Sequence, residues 1–254
     1  MTEWWEDFFD ADYHRLWGQW TGPERTEAEV EGIWRLLGLK EGSRILDAPC
    51  GYGRIARPLA ERGASVLGVD QSQVLLAQAE AERGDIDKDK LGYRRHDLRT
   101  PLAENGFDAA INVYSSLGYG SEDGDISILS TLRKALRPGG LVFVETNHRD
   151  AASVHFARSG RLGSRLDDGT LMVEEPIFDP IRGRVETTWY WSGPRGSGQK
   201  SASLRLYSAT ELVSLLERAG FRFRSAHRGC SVESFRLEAT DMGGRIGLLA
   251  ERPE

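Results

Sequence analysis

The sequence predicts an α/β protein with a doubly wound, parallel β-sheet. Short apolar segments alternate with helical segments between residues 44 and 145, which is typical of βαβ units. A glycine or a proline stands near the end of each predicted helix in this region, as expected of helix C-terminal signals. The 254 residues, 39% hydrophobic and 28% charged, can enclose one large core. We therefore predict a single domain over residues 1–254.

Residues 39–150 are predicted to form the centre of this sheet. The predicted strands are 44–48, 65–70, 93–97, 109–114 and 141–145. The predicted helices between them are 54–63, 72–83 and 123–136. Ligands of such sheets bind beyond the carboxyl ends of the strands, so polar residues at those ends are the candidates for a binding site.

Large aromatic side chains are concentrated before residue 35. They are Trp4, Trp5, Phe8, Phe9, Tyr13, Trp17, Trp20 and Trp34. Their helical spacing predicts one or two amphipathic helices, followed by a helix over 26–38 with Thr26 and Glu29 as a capping box. Residues 1–38 are predicted to form a helical lid, with Trp20 and Arg25 as candidate ligand contacts. Docking of these helices on the sheet edge is the alternative.

The strand–helix alternation changes after residue 150. Residues 158–170 are rich in glycine and charge and are predicted to be a surface loop. An antiparallel insert over 151–208 is predicted from three strands: 172–177, 184–191 and 202–207. Trp189 and Trp191 share one face of a strand and are predicted to roof a substrate site; an oligomer interface is the alternative. The sheet is predicted to be completed over 209–254 by a helix at 209–219 and strands at 221–227 and 244–251.

The loop after the first predicted strand carries the clearest chemical pattern. It reads Asp47-Ala48-Pro49-Cys50-Gly51-Tyr52-Gly53-Arg54. Gly51 and Gly53 allow the backbone to approach a ligand closely, and Asp70 ends the next strand, where an acid suits the two hydroxyls of a ribose. The two glycines with Ala56 also match the dinucleotide fingerprint, so an NAD(P)-dependent oxidoreductase is one alternative. Asp47 argues against it, because a carboxylate there would repel a pyrophosphate and suits a cationic group.

These residues resemble the class I S-adenosylmethionine-dependent methyltransferases, whose loop has the pattern Asp/Glu-x-Gly-x-Gly-x-Gly. Pro49 replaces the first glycine, as in the Asp-x-x-Cys-Gly-x-Gly subset. The resemblance continues through Asp97-Leu98, the segment from Asn112 to Tyr119, and Leu136-Arg137-Pro138-Gly139-Gly140. It implies a Rossmann-like, seven-stranded sheet. The aromatic N-terminus and the insert after strand five resemble the small-molecule branch, especially N-methyltransferases.

The resemblance implies S-adenosylmethionine as cofactor, S-adenosylhomocysteine as its product, and a role for each matching residue. Asp47, Gly51 and Gly53 would hold the methionine portion, with Arg54 beside its carboxylate. Asp70 would bind the ribose and Asp97 with Leu98 the adenine, while Asn112 and Val113 would line the cofactor floor. Ala48, Pro49 and Gln71 adjoin these residues and are included in the predicted site.

The implied reaction is methyl transfer to a small-molecule acceptor, with nitrogen favoured over oxygen or carbon. Tyr119 is a candidate lining residue of the acceptor pocket. His148 follows strand five and is the candidate base or substrate ligand; an exposed loop histidine is the alternative. A non-methylating protein that binds S-adenosylmethionine on the same fold is a second alternative, because a fold does not fix a function.

Composition argues against several other classes of protein. The net charge of −6 disfavours a nucleic-acid partner. No run of about 18 apolar residues predicts a membrane helix, and the acidic N-terminus lacks the features of a signal peptide. Cys50 and Cys230 are too few for a disulfide framework or a zinc cage, so no metal site is predicted. We expect a cytoplasmic monomer or homodimer.

Overall fold

The computed structural model describes residues 3–236 and 244–254. The strands are β1 Arg44–Asp47, β2 Ser65–Asp70, β3 Leu91–Arg95, β4 Phe107–Val113, β5 Leu136–Asn147, β6 Leu162–Arg165, β7 Leu171–Asp179, β8 Arg184–Gly193, β9 Gly196–Arg205, β10 Arg222–Arg228 and β11 Arg245–Glu251. The helices are α1 Trp4–Phe8, α2 Ala11–Trp17, α3 Pro23–Leu36, α4 Ala56–Glu61, α5 Gln73–Glu82, α6 Glu122–Ala135, α7 Arg149–Ser159 and α8 Ala209–Arg218. A single 3₁₀ turn, Gly18–Trp20, joins α2 to α3.

Seven strands form one sheet in the order β10-β11-β5-β4-β1-β2-β3. The strands β1 to β5 run parallel, while β11 is antiparallel to both β5 and β10. The chain moves outward from β1 in both directions, to β2 on one side and to β4 on the other. This reversal opens a crevice beyond the carboxyl end of β1. The sheet confirms the predicted Rossmann-like fold.

Apolar residues of the central strands point alternately to the two faces of this sheet. Leu46 and Val142 belong to the core on the side of α6 and α8. Their neighbours Ile45 and Phe143 belong to the opposite core, on the side of α3 and α4. All four are fully buried. Both faces are therefore covered by helices, as expected for parallel strands.

The predicted insert is present as a four-stranded antiparallel sheet in the order β6-β7-β8-β9. Its first strand, β6, lies where the sequence predicted a surface loop. β6 has only four residues, half-buried and exposed in alternation, and it is held by pairing with β7. The helix α7 was also not predicted; the small residues Ala151 and Ala152 near its start are buried, and small residues give little helical periodicity.

The N-terminal helices pack on this insert. Trp189 of β8 stacks on Tyr13 at 6.1 Å and on Trp17 at 5.6 Å, with each pair of rings within 8° of parallel. Trp189 and Trp191 are buried, while Tyr190 points outward and is 40% exposed. The tryptophans therefore join the insert to the N-terminal helices. A motion of these helices as a lid stays a prediction.

The capping box predicted at Thr26 is wrong. Helix α3 begins three residues earlier, at Pro23, after Gly22 as N-cap residue. Proline fits this first position because the N–H that it lacks would have no partner within the helix. The Thr26 hydroxyl donates instead to the Thr21 carbonyl at 3.3 Å and accepts from Arg54 at 3.1 Å.

The longest described helices, α3 and α6, have 14 residues each. No helix among residues 3–236 and 244–254 combines the length and apolar character needed to cross a membrane.

Gly32→Ala is expected to destabilise the protein, although alanine favours helices by about 1 kcal/mol over glycine. A Cβ at Gly32 would lie 1.7 Å from the Cys230 carbonyl oxygen. Overpacking of this kind costs about 2 kcal/mol or more, so the urea midpoint should fall. The matched control is Gly124→Ala in α6, whose Cβ would meet its nearest atom at 3.5 Å. A midpoint for Gly32→Ala at or above that of Gly124→Ala would contradict the packing of α3 on Cys230.

Candidate active site

One cavity of about 970 Å³ opens beyond the carboxyl ends of the parallel strands. Asp47 ends β1, Asp70 ends β2 and Asp97 follows β3 by two residues, and all three line this cavity. Its size is at the upper end of the range for small-molecule sites, so it has room for a large ligand and a second molecule.

Asp47 is a buried acid with an unsatisfied oxygen. Its side chain is 2% exposed, and Oδ2 has no hydrogen-bond partner among the described residues. Burial raises the pKa of Asp47 to about 8; the nearby Arg54 and the Ala56 N–H act in the opposite direction, and Asp70 adds to the increase. A cationic ligand group beside Asp47 would satisfy this oxygen and favour its ionised form.

The loop that follows Asp47 is fastened to neighbouring strands. The Ala48 N–H donates to Ile111 of β4, and the Cys50 N–H donates to Val69 of β2, both at 2.9 Å. Gly51 adopts a φ of +54° and has open space where a Cβ would stand. Its N–H donates to Asp70 Oδ2 at 2.8 Å. The loop is therefore held in place, with an uncovered glycine at the cavity wall.

Asp70 holds two backbone groups and keeps acceptor capacity for a ligand. Besides Gly51, the Ser72 N–H donates to its second oxygen at 2.9 Å. Burial raises the pKa of Asp70, against the effect of these backbone donors. Each carboxylate oxygen can accept a further bond, so the pair can meet two vicinal hydroxyls. Gln71 lies beside it on the cavity wall.

Asp97 is more exposed than Asp47 and Asp70, and it forms an ion pair with Arg99. The Arg99 guanidinium donates to both of its oxygens, at 2.7 to 3.1 Å, and lowers the pKa of Asp97. Arg99 also lies 5.6 Å from the centre of the Trp5 ring, which connects this corner of the cavity to α1. Leu98 is buried and lines the same corner.

Arg54 lines the cavity next to α3. Its guanidinium forms an ion pair with Glu29 of α3 at 2.6 Å, and both side chains are largely buried. It also lies 5.0 Å from the centre of the Tyr114 ring. Pro49 and Val113 complete the part of the cavity wall that the sequence predicted.

Some predicted site residues lie behind the wall. Asn112 is fully buried and donates to the Ala48 carbonyl at 2.6 Å, so both residues support the loop from beneath. Gly53 adopts a φ of +80°, and its missing side chain makes room for the Tyr93 hydroxyl; it lines a smaller neighbouring cleft.

Three other predicted residues do not line the cavity. The Trp20 ring packs on Trp17 at 5.3 Å and is 37% exposed. Arg25 is exposed and pairs with Glu29 at 2.9 Å. His148 is buried rather than exposed; its ring lies 4.9 Å from Phe235, and burial lowers its pKa.

Tyr114 is a wall residue that the sequence did not single out. It has a φ of +53°, which is uncommon for a residue other than glycine. Its N–H donates to a Glu145 oxygen at 3.0 Å, and Arg245 holds Glu145 while lying 4.2 Å from the Tyr114 ring centre. Strained backbone of this kind persists where surrounding contacts impose it, commonly at functional sites.

The outer part of the cavity is aromatic. Its aromatic lining residues from the N-terminal helices and the loop after β4 are Trp5, Phe9, Tyr13, Trp17 and Tyr119. Phe9 and Tyr119 stack with ring centres 5.7 Å apart and planes 21° from parallel. Burial raises the pKa of Tyr119, so its hydroxyl stays protonated. Tyr119, a candidate of the sequence, therefore lies on the wall together with the N-terminal aromatics.

Asp125 joins this part of the wall from α6 and was also not singled out by the sequence. It is 1% exposed and accepts from the Tyr207 hydroxyl at 2.6 Å and from the Gly118 N–H at 2.9 Å. Among the described residues, no group of three or more histidines, cysteines and acids has a geometry that could hold a metal ion.

Part of this chain is similar to known proteins. Residues 45–140, which contain β1 to β4 and their acids, match the family model described as a methyltransferase domain. Over these residues the chain is similar to a methyltransferase domain. The ubiquinone biosynthesis O-methyltransferase of Rhizobium etli is 34% identical to it over 144 residues, which are 54% of this chain and 55% of that protein. The chain thus spans about half the length of the curated relatives it matches.

Solved structures resemble this chain over nearly its whole length. The CcbJ methyltransferase from Streptomyces caelestis has a TM-score of 0.80 at 18% identity, over 98% of this chain and 99% of that one. CalS10 from Micromonospora echinaspora, an amino pentose methyltransferase with bound S-adenosylmethionine, has a TM-score of 0.70 at 17% identity, over 95% and 96% of the two chains. At these identities the likeness establishes the fold.

Proposed function

We propose that this chain transfers a methyl group from S-adenosylmethionine to a small-molecule acceptor, with nitrogen favoured over oxygen or carbon. The observation that carries the proposal is the set of three acids, Asp47, Asp70 and Asp97, at the ends of neighbouring strands around one cavity. All three lie within the residues that match the methyltransferase domain.

Each acid suits a different part of the cofactor. Asp47, with its unpartnered oxygen, would meet the ammonium group of the methionine portion, and Arg54 its carboxylate. Asp70 would accept from the two ribose hydroxyls and Asp97 from the adenine amino group. Gly51, Pro49, Gln71, Leu98 and Val113 would make the surrounding contacts, while Ala48 and Asn112 would support the loop.

The reaction requires little covalent chemistry from the protein. S-adenosylmethionine supplies a methyl group that is already activated by its bond to a positively charged sulfur. The chain's residues have to align the acceptor with that methyl group and exclude water. The aromatic wall around Phe9, Tyr13 and Tyr119 can do both, and aromatic faces also favour a positive charge nearby.

The nitrogen preference is supported by the acceptor end of the cavity. Aromatic rings and the carboxylate of Asp125 form a lining that suits an ammonium group better than a neutral hydroxyl. The similar CalS10 is an amino pentose methyltransferase, while the Rhizobium etli relative is an O-methyltransferase. The proposal gives His148 no role in the reaction, because its ring lies outside the cavity wall.

Ligand-dependent melting separates this proposal from its alternatives. S-adenosylhomocysteine at a hundredfold excess over its dissociation constant should add about 2.7 kcal/mol, which raises Tm by about 5–10 °C in a chain of this size. NAD(H) should leave Tm unchanged. A rise with NAD(H) alone would favour an oxidoreductase. A rise with the adenosyl ligands but no methylated product from any acceptor would favour a non-methylating binding protein.

An acceptor screen tests the nitrogen preference. Primary amines on sugars, aromatic rings and short alkyl chains are each paired with the corresponding alcohol or phenol, and the methylated product is detected by mass. We expect turnover mainly with the amines. Faster methylation of the hydroxyl partner across the pairs would assign the enzyme to oxygen acceptors instead.

A further inference from the structure

We propose that Asp125 is a catalytic residue that binds the ammonium group of the acceptor and takes up its proton, and that Tyr207 positions it. This inference rests on the proposed methyl transfer to nitrogen. It gives a function to a buried carboxylate that the cofactor does not require.

The described hydrogen bonds to the Asp125 carboxylate all reach the same oxygen, Oδ2. Tyr207 Oη and the Gly118 N–H both donate to Oδ2, at 2.6 and 2.9 Å. No hydrogen bond to Oδ1 occurs among the described residues, and the side chain lines the cavity while being 1% exposed. A carboxylate that only fastened α6 to its neighbours would not need to border the cavity. The second oxygen is available to a ligand.

Three distant segments fix this carboxylate. Asp125 lies in the first turn of α6, Gly118 in the loop after β4, and Tyr207 just after β9 of the insert. The Gly118 carbonyl accepts from the Arg205 N–H at 2.8 Å, and a Cβ at Gly118 would lie 2.2 Å from the Arg205 carbonyl oxygen. The cofactor-binding part of the chain and the insert therefore meet at Asp125, where an acceptor bound between them would lie.

The charges around Asp125 suit proton uptake near neutral pH. Burial raises the pKa of Asp125 to about 6. The Tyr207 hydroxyl, the Gly118 N–H and Arg184 of β8 act to lower it, and Glu122 of the same helix acts to raise it. Arg205 lies 5.1 Å from the centre of the Tyr207 ring. Asp125 is thus ionised at neutral pH, yet its pKa is closer to that range than that of an ordinary aspartate.

The step balances in protons and electrons. The acceptor enters as an ammonium ion, and its N–H bond breaks as a proton passes to Asp125 Oδ1, which leaves a lone pair on nitrogen. That pair forms the new bond to the methyl carbon while the carbon–sulfur bond breaks and its electrons remain on sulfur. The products are the methylated ammonium ion and neutral S-adenosylhomocysteine. Asp125 then releases its proton to solvent.

The test is Asp125→Asn, assayed with the amine that ranks first in the acceptor screen. Asparagine can still accept from Tyr207 and Gly118 but cannot take up a proton. We expect kcat/KM for the amine to fall by about 10²- to 10⁴-fold, the usual size of a general-base effect. The affinity for S-adenosylhomocysteine should change by less than about twofold, because the partners of the Asp125 side chain, Tyr207 and Gly118, are not among the residues assigned to the cofactor. Asp123→Asn, on the exposed side of the same helix turn, is the matched control and should keep full activity.

Tyr207→Phe provides a second readout. Because the Tyr207 hydroxyl lowers the pKa of Asp125, its removal should move the acidic limb of the kcat/KM profile to higher pH. Asp125→Asn should abolish that limb. A merely structural role for Tyr207 would lower Tm without moving the limb. If Asp125→Asn fails to fold, the shift of the acidic limb in Tyr207→Phe tests whether Asp125 takes up the proton.

Several outcomes would overturn the inference. Wild-type kcat/KM in Asp125→Asn would show that Asp125 takes up no proton. An unmoved acidic limb in Tyr207→Phe would show that Tyr207 does not position a titrating Asp125, and would overturn the inference in that form. Loss of S-adenosylhomocysteine binding in a folded Asp125→Asn would show a role in the cofactor site instead. Failure of the wild-type chain to bind S-adenosylhomocysteine would overturn the proposed function itself. Binding without methylation of any amine would overturn the role of Asp125 and the nitrogen preference, but not the cofactor site.

Discussion

Asp47→Asn is expected to stabilise the protein without ligand and to weaken its affinity for S-adenosylmethionine. Burial raises the pKa of Asp47 to about 8, whereas in the unfolded chain an aspartate titrates near a pKa of about 3.9. The folded form therefore binds a proton that the unfolded chain has lost between these two pKa values. The favourable contribution of Asp47 to folding is complete below about pH 4 and is lost as pH rises towards about 8.

The amide introduced by Asp47→Asn would not have to ionise, so the variant avoids this loss. At about pH 7 the gain in the free energy of unfolding should be about 2–4 kcal/mol, which corresponds to a rise in Tm of about 5 °C or more. At about pH 5 the gain should be much smaller, because that pH lies only about one unit above the pKa of the unfolded chain. Melting curves at the two pH values measure both.

Cofactor affinity should change in the opposite direction. The variant lacks the charge that meets the methionine ammonium group, and loss of a charged hydrogen bond costs about 1.5–3 kcal/mol, or about 10- to 150-fold in Kd. The control is Asp89→Asn, an exposed aspartate after α5 that should alter neither quantity. Equal stabilisation at both pH values, or unchanged affinity, would contradict the buried and unpartnered state of Asp47.

Asp70→Ala is expected to weaken S-adenosylhomocysteine binding by about 100-fold or more. The carboxylate would accept from both ribose hydroxyls, and two charge-assisted bonds together contribute about 3 kcal/mol or more. Alanine also removes the acceptor of the Gly51 and Ser72 N–H groups, so some loss of Tm is expected without ligand. Titration calorimetry of the variant, with Asp89→Ala as the charge-matched control, measures the effect.

A modified ligand distinguishes the binding of the ribose by Asp70 from the support that Asp70 gives to the loop. The 2′-deoxy form of S-adenosylhomocysteine should bind the wild-type chain at least about tenfold more weakly than the parent ligand, about 1.4 kcal/mol. In Asp70→Ala the two ligands should bind almost equally, because the partner of the missing hydroxyl is gone. An equal penalty in both proteins would place the ribose away from Asp70.

The cofactor-binding part of the site can be predicted from the sequence because its residues lie close together along the chain. Asp47, Gly51 and Asp70 lie in consecutive strands and turns, and parallel strands bring their carboxyl ends to one edge of the sheet. The strand–helix alternation that predicts the sheet also predicts this edge. The fold and most of the cofactor wall therefore follow from local pattern.

The wall residues that the sequence did not single out depend on contacts between distant segments. Asp125 and Tyr207 are 82 positions apart, and Glu145 and Arg245, which hold Tyr114, are 100 apart. No short-range sequence pattern indicates that residues so far apart in the chain are in contact. His148 follows β5 at the same edge of the sheet, but its ring lies 4.9 Å from Phe235 and is not part of the cavity wall, so its catalytic role stays a prediction.

The most direct test of the cofactor site is a calorimetric titration of S-adenosylhomocysteine into the wild-type chain and into Asp70→Ala, with NADH as the comparison ligand. We predict saturable binding of one S-adenosylhomocysteine per chain, a Kd about 100-fold or more higher in the variant, and no binding of NADH. Binding of NADH instead, or equal affinity of the wild type and Asp70→Ala for S-adenosylhomocysteine, would contradict the account.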